Sequence, residues 1–148
     1  MDICKYRKLH HKEITSILEE KLVCSIGISS TSGIEIAPMF FVFDCQDENI
    51  NFFICMDNTK KFEDKVNSEP VCIYLDNYIS NFYRDAYQTI VAKGTLEILT
   101  DQSDKNYVMH KFKEKYYKPF KDIMSCTDLN FVKIPVKDIC GREYNYDL

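Results

Sequence analysis

The chain has 148 residues, 45% of them apolar and 28% charged, which describes one folded globular domain (residues 1–148) with a sizeable core and excludes a disordered chain. A net charge of −4 argues against general nucleic-acid binding, which needs a basic face. No apolar run approaches a bilayer span, and the opening "MDICKYRKLHHKE" lacks the apolar core of a secretion signal, so a cytoplasmic protein with no membrane partner is expected.

Residues 9–21 place Ile14, Ile17 and Leu18, with Leu22 as a further candidate, on one stripe of an amphipathic helix. "LVCSIGIS" reads as a buried strand followed by the turn "STSG". "IEIAPMFFVFD" (34–44) is a second strand, and Pro38 within it predicts an edge or a bulge. The five-residue turn "CQDEN" and the strand "INFFICM" complete a hairpin. A short helix over 60–68 stops before Pro70, because the residue preceding proline disfavours helix. "VCIYLDN" is a fourth strand. "YQTIVAKGTLEILT" is a long fifth, with Gly94 predicting a bend or bulge. Asp101 or Ser103 caps a late helix that places Tyr107, Met109, Phe112 and Tyr116 near helical spacing. "DLNFVKIPVKDI" alternates as an outer strand would. About six mostly consecutive strands with two or three helices favour an antiparallel sheet closed into a small barrel with flanking helices, a mainly β fold.

Several of the seven cysteines lie inside apolar runs, their number is odd, and no pair has C-x-x-C spacing. They read as buried thiols in a reducing compartment. Four scattered glycines exclude the dinucleotide and P-loop motifs. His10, His11 and His110 have no acid or thiol at ligand spacing, so no metal is expected. No nucleophile–base pair can be named, and the catalytic residues are unassigned. The aromatic run "YYKPF" at 116–120 reads as core or subunit interface, with cover for a planar ligand as the alternative.

The corner Asn58-Thr59-Lys60-Lys61 has two readings. Taken alone it is a capped helix start with solvated lysines. Its free N–H groups, the helix dipole and two ammonium groups would also hold a phosphate.

The order of these segments resembles the FMN-binding split-barrel family related to pyridoxamine 5′-phosphate oxidase, in particular its nitroimidazole-reductase-like branch. The resemblance rests on "NTKK…NSEPV" after a strand, on "TIVAKG" at 89–94 and on "IEIAPMFFVFD" at 34–44, and it runs from about residue 5 to 141. It implies a six-stranded antiparallel split barrel with FMN at the interface of a homodimer. By position, Thr59, Lys60 and Lys61 would hold the phosphate. Ala37, Pro38, Met39 and Phe40 would line the isoalloxazine, Cys55, Met56 and Asp57 would run beside the ribityl chain, and Thr89 would add a hydroxyl. The register at Lys60 and Lys61 stays open by one residue. The C-terminal "CGREYNYDL" contains no histidine, unlike the substrate segment of true pyridoxamine phosphate oxidases, so vitamin B6 oxidation is not expected.

The resemblance implies an FMN-dependent oxidoreductase that takes electrons from NAD(P)H and reduces a small acceptor such as a nitro compound. The alternatives are a flavin- or haem-binding stress or sensor protein without turnover, and a barrel dimer that has lost its cofactor.

Overall fold

The computed structural model describes residues 5–30, 33–57, 69–116 and 129–145. The elements in chain order are β1 (Tyr6–Lys8), α1 (His11–Glu20), β2 (Val23–Ser30), β3 (Gly33–Gln46), β4 (Asn49–Asp57), β5 (Pro70–Ser80), β6 (Asp85–Thr95), β7 (Glu97–Ile98), α2 (Gln102–Lys115) and β8 (Leu129–Asn145). The expected helix over 60–68 and most of "YYKPF" lie outside the described residues.

All described pairings are antiparallel, and six strands form a ring in the order β2–β3–β4–β8–β6–β5, closed by β5 on β2. The ring is the expected split barrel, built on two long strands that change neighbours midway. β3 pairs with β2 from Gly33 to Phe40 and with β4 from Phe41 to Gln46. β8 pairs with β4 from Leu129 to Pro135 and with β6 from Val136 onward. Short β1 and β7 add to β8 alone.

Side-chain alternation fills the barrel. Ile26, Ile28, Phe41, Phe52, Ile54, Ile73, Ile90 and Ile134 point inward with the Ile14, Ile17 and Leu18 stripe of α1 packed among them. Helix α2 covers the outer side of the β3–β4–β8 wall through Val108 and Phe112, against Val42, Phe53 and Phe131. That wall is buried on both faces, which is why "FFVF" and "NFFI" read as unbroken apolar runs.

Several boundaries differ from the sequence reading. The β3–β4 hairpin turns on Asp47 and Glu48 only, with Asp47 at φ 58°. Short acidic side chains tolerate this left-handed conformation, so Cys45 and Asn49 stay in the strands. Leu22 falls beyond α1 and is exposed. On α2 the buried stripe is Val108–Phe112–Tyr116, whereas Tyr107 is turned out and donates its hydroxyl to Asp44 Oδ2 at 2.8 Å. Burial and that carboxylate raise the Tyr107 pKa to about 12. The last strand is not an outer one: β8 contacts four other strands and runs on through "CGREYN". Pro135 stands where β8 leaves β4 for β6, so its missing N–H falls at the change of partner.

Gly94 does mark a bulge. The register shifts between Lys93 and Gly94, leaving Lys137 of β8 without a partner on β6. A Cβ at Gly94 would stand 2.3 Å from the carbonyl oxygen of Pro135, so only glycine lets the two backbones approach this closely.

Candidate functional site

The barrel wall parts just beyond the Phe41–Ile54 pair. From there Phe40 back to Gly33 follows β2, while Cys55 to Asp57 follow β8. Carbonyls and amides freed by this divergence find partners on α2. The Tyr116 hydroxyl donates to the Phe41 carbonyl at 2.6 Å, lies 2.7 Å from the Leu22 carbonyl, and accepts from the Phe41 N–H at 3.2 Å. Lys115 Nζ donates to the carbonyls of Leu18 and Phe41, both at 3.2 Å, and sits 3.9 Å from the centroid of the Phe41 ring. Burial lowers the Lys115 pKa to about 8, and burial also raises that of neighbouring Cys24 to about 12. Tyr116 therefore serves as the core side of the two readings given for its aromatic run, with the edge of its ring against Phe40 at 5.4 Å.

On the β3–β2–β5–β6 wall the alternation leaves one face bare. Ile36, Gly27, Cys72 and Lys93 share one outward row, and Pro38, Ser25, Tyr74 and Val91 the next. Ile34 and Ile36 are 78% and 74% exposed, and Val23, Phe40 and Tyr78 join them. At the β5–β6 tip Phe82 and Tyr83 are almost fully exposed, on a turn fixed by the Asn81 side chain, which accepts the N–H groups of Tyr83 and Arg84.

The residues singled out in the sequence divide between these surroundings. Pro38 and Phe40 point outward; Ala37 and Met39 alternate inward, with Met39 against the core. Thr89, opposite Asp76, lies on the same outward face as Phe40, three strand spacings or about 14 Å away. Cys55 packs on the α2 side, against the Val42–Phe112 cluster. Met56 and Asp57 extend β4 opposite Asn130 and Leu129. Thr59, Lys60 and Lys61 lie outside the described residues.

Two polar groupings escaped the sequence reading. On the bare face the hydroxyls of Tyr74 and Tyr87 are 2.7 Å apart, and Tyr87 donates to Asp76 Oδ2 at 3.1 Å. The Tyr74 hydroxyl, burial and Asp76 together raise the Tyr87 pKa. At the far end of β8, Glu143 is only 3% exposed and accepts from Arg7, Arg84 and Gln88. Arg7 also forks onto Glu13, whose pKa it lowers to about 2 with help from the His10 N–H. Period-two alternation through "YLDNY" and "AYQT" puts Tyr74, Asp76, Tyr87 and Thr89 on one face and was the available signal for the first grouping. The second depends on long-range pairing that no local pattern carries. Among the described residues no group of His, Cys, Asp and Glu could hold a metal.

The family model described as pyridoxamine 5′-phosphate oxidase matches residues 10–143. No curated protein matches the sequence. Among solved structures, the chain is similar to a candidate 5-nitroimidazole antibiotic resistance protein from Bacteroides thetaiotaomicron, with TM-score 0.71, 17% identity, and 94% of this chain and 87% of that one covered. It is also similar to the FAD binding protein from Mycobacterium smegmatis, with TM-score 0.72, 13% identity, and 95% and 99% covered. The haem storage protein HutZ from Vibrio cholerae aligns with TM-score 0.66, 11% identity, and 86% and 91% covered. At these identities the likeness establishes the shared fold.

Proposed function

The chain belongs to the pyridoxamine 5′-phosphate oxidase family, and from that premise we propose that it is an FMN-dependent oxidoreductase acting as a homodimer. In this reading NAD(P)H supplies the electrons and a small electron-poor molecule, such as a nitro compound, accepts them. The observation that carries the reading is the bare outward face beside the parting of β3 and β4. A flat apolar ring with a polar edge needs an apolar wall bearing a few placed hydroxyls, and Phe40, Pro38 and Thr89 have that chemistry on one face. A second copy would cover Ile36, Phe40 and Tyr74, whose contiguous exposure is unusual for a free monomer.

Bound flavin supplies hydride and electron transfer, so the chain needs neither a nucleophile nor a metal. Its own residues have three tasks here. Phe40 and Pro38 flank the ring and keep water from it, Thr89 offers a hydroxyl, and Thr59, Lys60 and Lys61 hold the phosphate charge. A cytoplasmic location agrees with Cys24, Cys45, Cys72 and Cys140 being free thiols. Among the described residues no helix is long and apolar enough to cross a membrane.

A second reading, a haem-binding protein without turnover, is favoured by the likeness to HutZ. The described histidines are all exposed, His10 and His11 at the start of α1 and His110 on α2 within 2.9 Å of Glu114, which weighs against it. The absorption spectrum of the purified protein tests both. Flavin bands that bleach anaerobically with NADH or NADPH are expected, a Soret band would replace flavin with haem, and a colourless protein that does not take up FMN would overturn both. In the Lys60→Glu, Lys61→Glu double variant FMN affinity is expected to fall by about tenfold or more, ~1.4 kcal/mol, with the dimer intact.

A further inference from the structure

An open groove of about 420 Å³ lies on the outward side of the β2–β5–β6 wall, at the end of the bare face away from Phe40. Its volume is in the roughly 300–1,000 Å³ range of small-molecule sites. Two features of the chain create it. Gly27, between Ile36 on β3 and Cys72 on β5, carries no side chain to fill the row. The bulge opposite Gly94 adds Lys137 to β8, and a bulge turns its extra residue out of the regular alternation. Lys93 and Lys137 both line the groove, and neither forms an ion pair among the described residues. Asp138 stands opposite Lys93 in the register without bridging to it. Ile34 and Cys72 make the floor and wall apolar.

Two ammonium groups that form no ion pair among the described residues, beside an apolar trough, suit a molecule that has both an anionic head and an apolar body. We propose that this groove binds a small amphiphilic anion, its body along Gly27, Ile34 and Cys72 and its carboxylate or phosphate between Lys93 and Lys137. None of these residues belongs to the flavin-binding set, but the groove borders Ile36, which the proposed second copy would cover. The proposal therefore rests on a homodimer that leaves the Lys93 and Lys137 end of the face open.

Isothermal titration with octanoate, octanol, octyl phosphate and inorganic phosphate tests it. Octanoate or octyl phosphate should bind at least about tenfold more tightly than octanol, and the tighter of the two identifies the head group as carboxylate or phosphate. The Lys93→Gln, Lys137→Gln double variant should bind octanoate no better than octanol. Gly27→Val should lose all three eight-carbon ligands. A Cβ at Gly27 meets only ordinary contacts, 3.8 Å from the Cys72 oxygen and 4.0 Å from Ile36, so the substituent enters the groove with no clash at its Cβ, and the melting temperature verifies folding. Equal binding of octanoate and octanol by the native protein, unchanged affinity in the lysine variant, or inorganic phosphate binding as tightly as octyl phosphate would overturn the proposal. Flavin content is measured on the same samples, so a failed flavin reading remains distinguishable from a failed groove.

Discussion

β3 and β8 solve the same problem in opposite ways. Each is a long strand that changes neighbours once. β8 does so under cover: Gly94 presses against Pro135, β7 flanks Val132 and Lys133, β1 flanks Arg142 to Tyr144, and the end is locked by buried Glu143. β3 changes neighbours with one edge, from Ile34 to Phe40, that meets no other strand among the described residues, and with its outward apolar side chains bare. Helix α2 covers the outer face of its second half only. A barrel of this size can afford one open change of partner, because the other closes the ring. The open one leaves apolar surface that folding has not used.

The sharpest way to break the closed change is Gly94→Ala. Its Cβ would fall 2.3 Å from a backbone oxygen, where no side chain can swing aside. A loss of about 3–5 kcal/mol is expected in chemical denaturation, at the upper end for one substitution. An unchanged midpoint would mean that β8 can slide away from β6, and that its bend is no tighter than that of β3.

At the open change the corresponding variant is Tyr116→Phe. It removes the hydroxyl shared by Leu22, Phe41 N–H and Phe41 O while keeping the ring packing on Phe112. The expected cost is about 1–3 kcal/mol. Amide exchange localises it: the Phe41 amide should exchange faster, while those of residues 139–143 on β8 stay protected. Equal acceleration on both strands would show that they open together.

The same contrast explains what the sequence disclosed. Pro38 and Gly94 each signal a backbone exception: Gly94 falls at a bulge, whereas Pro38 keeps an unbroken register with Ser25 on a strand whose other edge there meets no strand among the described residues. The strands of the β3–β4 hairpin were legible from their apolar runs, as was the α1 stripe. The role of β8 was not, because "KIPVKDICGREY" alternates like a half-solvated strand, and four partners are assigned to it only by segments far away in sequence. No local pattern sets Glu143 apart, for the same reason: its arginines come from positions 7 and 84. On the candidate site, position along the chain identified residues near the parting but not their facing. Met39 and Cys55 belong to inner packing and Phe40 to the bare face, a difference of parity that depends on register.

The smallest effect concerns the cation that plugs the open change. Lys115 lies against the carbonyls of Leu18 and Phe41 and the rings of Phe41 and Tyr116, and burial holds its pKa near 8 against an ordinary 10.5. From pH 8 towards 10.5 the native chain has released a proton that the unfolded chain still holds, so this group alone makes stability rise with pH. Cys24 acts oppositely from its ordinary 9.0 to about 12, where the native thiol keeps a proton that the unfolded one has lost. Tyr107 does the same from 10.0 to about 12. Denaturation midpoints of the native protein should therefore rise between pH 8 and 9, level off between 9 and 10 where Lys115 and Cys24 offset each other, and decline above 10. Lys115→Met should lack the rise and decline from pH 9 onward, so that the difference between the two proteins shifts toward the native one as pH increases. A difference independent of pH would mean that water reaches the Lys115 ammonium. The open change of partner would then be solvated at Lys115, with the Tyr116 hydroxyl still tying Phe41 to the end of α2.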